Sequence, residues 1–207
     1  MQIKICGLFR QEDIEYVNEA LPEYAGFVFY EKSRRAVTPE QAGVYRKRLD
    51  GRIQAVGVFV DEEPEKIIAL LQNGTIDIAQ LHGQETEETI RKIQKESGKP
   101  VWKAVIVKTA DDVEKWQDSR ADLLLFDGGM GSAHTFSWEY LSGLKRPFFL
   151  AGGMDAEKIK DAAKLPGVCG IDLSSSVETE GYKDRQKILD VVKCVRKFEQ
   201  KSEERTN

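Results

Sequence analysis

The chain has 207 residues, 41% hydrophobic and 32% charged, with a net charge of −4. That composition fits one soluble domain with a large core and leaves no basic footprint for nucleic acid or an anionic membrane. No run approaches the roughly 18 apolar residues of a membrane span, and Met1-Gln2-Ile3-Lys4 enters a strand pattern with no signal peptide, so the cytoplasm is the expected location.

In chain order, eight short apolar, β-branched runs are predicted as strands: residues 2–6, 25–29, 55–60, 76–81, 101–107, 122–127, 147–151 and 168–173. The segments between them, such as 61–72, 86–96 and 155–164, carry apolar residues at helical spacing among Lys and Glu and read as amphipathic helices. Thr38 ahead of Pro39, Asp155 and Asp184 stand as N-caps. Thr86-Glu87-Glu88-Thr89 lacks the acid that a capping box wants.

Alternating strands and helices imply parallel strands with right-handed crossovers, and eight such units close most naturally into a single-domain α/β fold, a (β/α)8 TIM barrel over residues 1–200. Residues 201–207 form a polar tail expected to fray. An open doubly wound sheet often carries GxGxxG after its first strand, whereas Gly7 is followed here by Leu8-Phe9-Arg10.

In such a barrel the site lies at the C-terminal strand ends. Cys6 closes the first strand and Asp127 the sixth, each followed by glycine, so a thiol and a carboxylate placed to move protons are brought to one face. As a base Cys6 needs a positive or hydrogen-bonding neighbourhood that lowers its pKa. An acid at the edge of an apolar strand such as Leu123-Leu124-Leu125-Phe126 can hold its proton near neutrality.

Gly152 and Gly153 after strand seven, and Ser174, Ser175 and Ser176 after strand eight, fall where barrels bind phosphate through backbone N–H groups and a helix N-terminus. In Lys32-Ser33-Arg34-Arg35 one arginine fork can match a substrate carboxylate. His82 reads equally well as a substrate contact or a structural histidine. His134, Cys169 and Cys194 read as structural or solvent-facing.

Cys6, Cys169 and Cys194 show no CxxC spacing and are accompanied by only two histidines, so neither a disulfide framework nor a metal site is indicated. Lys4 shares a strand face with Cys6, and Asp172 shares one with Ser174. Because the first and eighth strands are neighbours in a closed barrel, Lys4 is expected to be buried and paired with Asp172.

Taken together, Lys4-Ile5-Cys6-Gly7, Gly26-Phe27-Val28-Phe29 with Lys32-Ser33-Arg34-Arg35, Val56-Gly57-Val58-Phe59-Val60, Gln80-Leu81-His82-Gly83, Asp127-Gly128-Gly129 with Gly131, Phe136-Ser137-Trp138, Ala151-Gly152-Gly153 and Asp172-Leu173-Ser174-Ser175 resemble the phosphoribosylanthranilate isomerase family. The resemblance spans nearly the whole chain.

It implies an Amadori rearrangement in tryptophan biosynthesis, with Cys6 as general base, Asp127 as general acid and Arg35 against the anthranilate carboxylate. It further implies phosphate binding by the last two strand-end loops, a small phosphorylated substrate as the partner and no metal or organic cofactor. Two departures stand out. Ser176 replaces a glycine, where a side chain crowds the phosphate loop if the backbone has positive φ, and Leu8-Phe9-Arg10 replaces the more usual Ile-Thr.

The related isomerase of histidine biosynthesis carries Asp where Cys6 stands, which argues against it. A binding barrel without catalysis is the alternative from another class. Monomer and homodimer stay open.

Overall fold

In a computed structural model, which describes residues 1–129 and 136–203, the eight predicted runs form one closed parallel barrel. Its strands are β1 (Gln2–Cys6), β2 (Tyr24–Val28), β3 (Gln54–Phe59), β4 (Ile78–Leu81), β5 (Val101–Ile106), β6 (Leu123–Asp127), β7 (Phe148–Ala151) and β8 (Val168–Leu173), in that order around the barrel. The expected TIM barrel is the fold. His134, Met130 and Gly131 lie outside the described residues.

Helices α1 (Gln11–Ala20), α2 (Pro39–Arg48), α3 (Pro64–Gln72), α4 (Glu87–Ser97), α5 (Ala110–Glu114), α6 (Ala156–Ala162) and α7 (Arg185–Glu203) surround it. The units are not equal. Between β6 and β7 the described residues hold a one-turn 3-10 helix, Trp138–Leu141, and α5 has five residues. After β8 come a 3-10 turn, Ser175–Val177, and a hairpin of β9 (Glu178–Thr179) and β10 (Tyr182–Lys183). Among the described residues no helix is long and apolar enough to cross a membrane.

The local signals work as their chemistry requires. Thr38 accepts from the Gln41 N–H at 3.2 Å while the Gln41 side chain accepts from the Thr38 N–H at 2.9 Å, and Pro39 opens α2 where its missing N–H costs nothing. Asp155 accepts from the N–H groups of Glu157 and Lys158, and Asp184 accepts from Lys187 N–H at 3.1 Å. Thr86 caps α4 through Thr89 N–H, without a reciprocal acid.

Two apolar layers result. One lies between barrel and helices and includes Ile3, Ile5, Phe27, Phe59, Phe126 and Phe148. The other plugs the lower barrel with Tyr24, Val56, Ile78, Trp102, Ala104, Leu125 and Phe149. Tyr24 meets Trp102 edge-on at 4.8 Å, and Phe149 lies 5.3 Å from Trp102 between ring centres, geometries that aromatic quadrupoles favour.

The sheet has one irregularity: Phe148 pairs with Val168 but Phe149 with Gly170, so Cys169 is an extra residue in β8. Its thiol donates to the Phe148 carbonyl at 3.3 Å. Beyond the bulge the ladder to β1 is regular, with Lys4 opposite Asp172.

Phe149 is fully buried in the plug. Phe149→Ala is therefore expected to cost about 3–5 kcal/mol, as large-to-small core changes do, read as a lower urea midpoint with an unchanged slope. Phe149→Leu should cost less than half of that.

Candidate active site

The mouth of the barrel collects the side chains that follow the inward face of each strand. Cys6 is 9% exposed at the end of β1. Its neighbours include two cations, Lys4 and Lys183, yet burial outweighs them and pushes the thiol up from its ordinary pKa. Sequence reasoning finds the positive neighbourhood but misses the desolvation, which disfavours the thiolate in the free protein.

Lys4 is buried to 0% exposure and its Nζ donates to Asp172 Oδ2 at 2.7 Å, the pairing expected from the strand faces. Burial works to lower the Lys4 pKa, but Asp172 and Cys6 outweigh it, so the ammonium is held above its ordinary value.

Asp127 ends β6 and accepts from Gly129 N–H at 3.0 Å. Gly152 packs directly against it: φ is +90°, and a β-carbon would stand 2.9 Å from Asp127 Oδ1, so only glycine fits. His82 follows β4, with Nε2 3.7 Å from Asp127 Oδ2. Burial pushes the imidazole below its ordinary pKa despite the attraction of Asp127, leaving it neutral at physiological pH.

The loop that carries His82 is fixed from below. Glu85 accepts from the N–H groups of Asp61 and Gly83, and Lys103 Nζ donates to Glu85 Oε2 at 2.8 Å and to Gly83 O at 2.7 Å. A cleft of about 310 Å³ lies there, sharing His82 and Ile106 with the mouth but not Cys6 or Asp127.

Arg35 reaches the site through a gap at Gly7, where φ is +78° and a β-carbon would come within 2.4 Å of Arg35 Cδ. Its fork is engaged: Nε donates to Glu178 Oε1 at 2.6 Å and Nη2 to Glu178 Oε2 at 2.8 Å. Arg34 and Lys183 bond the same carboxylate. Burial would raise the Glu178 pKa, but hydrogen bonds from Arg35 and Lys183 hold it below the ordinary carboxylate range. Burial in turn lowers Lys183, against the pull of Glu178.

Glu178 and Lys183 were not among the sequence candidates. They lie in a hairpin of two-residue strands beyond the last predicted element. The signal available was Ser-Val-Glu following Ser174-Ser175, an acid placed where three cations converge.

The phosphate candidates occupy adjacent strand ends. Gly152 and Gly153 both have positive φ, and Ser174 donates its hydroxyl to the Cys6 carbonyl at 3.1 Å, linking the loop after β8 to β1. Lys183 Nζ donates to Ser174 O at 3.1 Å. Ser175 and Ser176 start the 3-10 turn.

Ser176 is not among the residues with positive φ, so the feared crowding has no backbone basis. The first turn of α6 is capped by Asp155, which accepts from the N–H groups of Glu157 and Lys158. Lys158, another residue missed in the sequence, sits beside this pair of loops with Nζ 3.0 Å from Gly153 O.

A family model for N-(5'phosphoribosyl)anthranilate (PRA) isomerase matches residues 3–194. The chain is 44% identical over 200 residues to the N-(5'-phosphoribosyl)anthranilate isomerase of Endomicrobium trichonymphae, covering 94% of this chain and 98% of that protein. Among solved structures, phosphoribosyl anthranilate isomerase from Thermotoga maritima matches with a TM-score of 0.86 at 34% identity, covering 95% of this chain and 98% of that one. A phosphoribosyl anthranilate isomerase solved with reduced 1-(o-carboxyphenylamino)-1-deoxyribulose 5-phosphate matches with a TM-score of 0.83 at 34% identity, over 95% and 98% of the two chains.

Removing Glu178 strands a fully buried Lys183 ammonium. Glu178→Ala is expected to cost roughly 3–5 kcal/mol in chemical denaturation, with partial recovery in Lys183→Met/Glu178→Gln. Because the Glu178 pKa is depressed on folding, its contribution is present above the ordinary glutamate range and lost as pH falls through its folded value. Acid-side stability should therefore fall less steeply in Glu178→Gln than in wild type.

Proposed function

Because the chain belongs to the phosphoribosylanthranilate isomerase family, an enzyme family of tryptophan biosynthesis, we propose that it converts N-(5-phosphoribosyl)anthranilate into 1-(2-carboxyphenylamino)-1-deoxyribulose 5-phosphate with Asp127 as general acid and Cys6 as general base. The observation that carries the assignment is the convergence of an inward thiol from β1 and an inward carboxylate from β6 on one mouth, with Arg35 to one side and the loops after β7 and β8 to the other.

Asp127 protonates the furanose ring oxygen, and the C1–O bond breaks as the anilino nitrogen supplies its electron pair, giving an open-chain Schiff base. The Cys6 thiolate takes the proton from C2, and the electron pair of that C–H bond moves into the iminium. The enolamine then tautomerises to the aminoketose. The substrate's own iminium is the electron sink.

Arg35 reads the anthranilate carboxylate with the Nη1 side of its guanidinium, since Glu178 holds the other edge. Gly152, Gly153, Ser174, Ser175 and Ser176 bind the phosphate through backbone N–H groups and hydroxyls, with Lys158 adding charge. His82, held neutral, contacts the substrate beside Asp127. Exposed Ile106, opposite Asp127 in the β5–β6 ladder, offers an apolar surface to the ring.

The test is the fluorescence decay of phosphoribosylanthranilate generated in situ from anthranilate and phosphoribosyl pyrophosphate. Wild type is expected to turn it over. Cys6→Ala and Asp127→Asn should each lower kcat by about 10²–10⁴-fold with little change in KM; a change confined to KM would assign the residue to binding.

The pH dependence has a defined sign. Burial raises the Cys6 thiol, so kcat/KM, which reports the free enzyme, should still be rising with pH across neutrality. A profile flat from about pH 6 upward would contradict Cys6 as the base.

A further inference from the structure

Above the apolar plug, the barrel interior holds a charged pair that the proposed chemistry does not use. Lys4 is fully enclosed and its ammonium meets Asp172 Oδ2 at 2.7 Å, while Asp172 Oδ1 is buried without a hydrogen-bond partner among the described residues. A buried ion pair is a poor way to fill space, since apolar side chains of similar volume usually stabilise a protein as well or better. Tyr24, Trp102, Leu125 and Phe149 fill the layer below in just that way.

The pair supplies what an apolar plug lacks: a fixed positive charge two residues from Cys6 on the same face of β1. The Lys4 ammonium, enclosed on the same strand face as Cys6, is the largest influence favouring the thiolate. The other charged groups acting on Cys6 are Asp172 from β8, which opposes the thiolate, and Lys183 from β10 and Arg35 from the loop after β2. His82 and Asp127 face them across the mouth.

We propose that Lys4, anchored by Asp172, is a positioning residue for the reaction: its ammonium holds the Cys6 thiolate in the orientation from which it takes the substrate proton. The inference rests on the reading of Cys6 as base. When the C2–H bond breaks, the proton passes to sulfur and the electron pair stays on the substrate, so Lys4 itself neither gains nor loses a proton.

Asp172 explains how Lys4 survives that step. Once the sulfur is protonated, an ammonium with no other partner would be a lone buried cation and would tend to lose its proton. The carboxylate keeps Lys4 charged through both halves of the cycle, and the cost is a weaker pull on the thiolate.

The two charges therefore make opposite predictions. The readout is iodoacetamide alkylation of Cys6 against pH, followed on the Cys6 peptide by mass spectrometry to separate it from Cys169 and Cys194, alongside kcat and KM profiles. Asp172→Asn should move the alkylation midpoint below that of wild type. Lys4→Met/Asp172→Asn should raise it above that of Asp172→Asn by about one pH unit or more, a tenfold loss of thiolate. The acidic limb of kcat should follow both shifts while KM stays within about twofold.

Midpoints equal in all three proteins would overturn the proposal and reduce the pair to packing. Midpoints that move while the kcat profile does not would overturn it differently, by showing that Cys6 is not the base. Asp172→Asn keeps the side-chain shape, and if the double variant with methionine does not fold, Lys4→Gln/Asp172→Asn, which keeps a hydrogen-bonding pair in the same enclosure, supplies the comparison with Asp172→Asn, and equal midpoints there would overturn the proposal.

Discussion

The closed sheet meets itself between β1 and β8, and the register there constrains everything above it. Setting Lys4 opposite Asp172 puts Cys6 next to the start of the loop after β8, where Ser174 donates to the Cys6 carbonyl. The base candidate and the phosphate-loop candidate are thus neighbours by backbone pairing, not by flexible loops. Hydrogen bonding between parallel strands fixes such distances more tightly than side-chain contacts do. The apolar plug below sets the floor, so polarity is confined to the upper barrel.

Glu178 organises the other side of the mouth. One carboxylate gathers Arg34, Arg35 and Lys183, and Lys183 also bonds Ser174 O. The loops after β2 and β8 are therefore joined through a single buried anion. For Arg35 this means the side chain is ordered before any ligand arrives, and the rotamer entropy of roughly 2 kcal/mol carried by a free arginine does not weigh on binding. In addition, Lys183 is one of the cations acting on Cys6, so the same anchor bears on the electrostatics of the thiol.

The barrel was legible because parallel strands buried on both faces read as unbroken apolar runs, with glycine directly after β1, β6 and β7. The Lys4–Asp172 pair was legible too, from the parity of strand faces alone. Boundaries were less so: β4 starts at Ile78, two residues into the apolar run, because Asp77 turns its carboxylate to accept from Ala55 N–H of β3. Alternation alone does not tell how much helix each unit carries: after β6 a 3-10 turn stands among the described residues. Glu178 and Lys183 escaped notice because a hairpin of two-residue strands has no periodicity to detect. The raised Cys6 pKa depends on enclosure by the whole barrel, which no local pattern encodes.

The bulge at Cys169 has a consequence for which changes of length this strand can tolerate. Side chains along a strand alternate with period two, so a single inserted residue exchanges inside for outside from that point on. With Cys169 in place, Gly170, Asp172 and Ser174 point into the barrel. Without it, Ile171 and Leu173, both buried against the helical layer, would turn inward while Asp172 turned towards the helices. Such a barrel would keep its strand count and lose the partner of Lys4, so β8 behaves like a reading frame in which only paired insertions or deletions preserve the message.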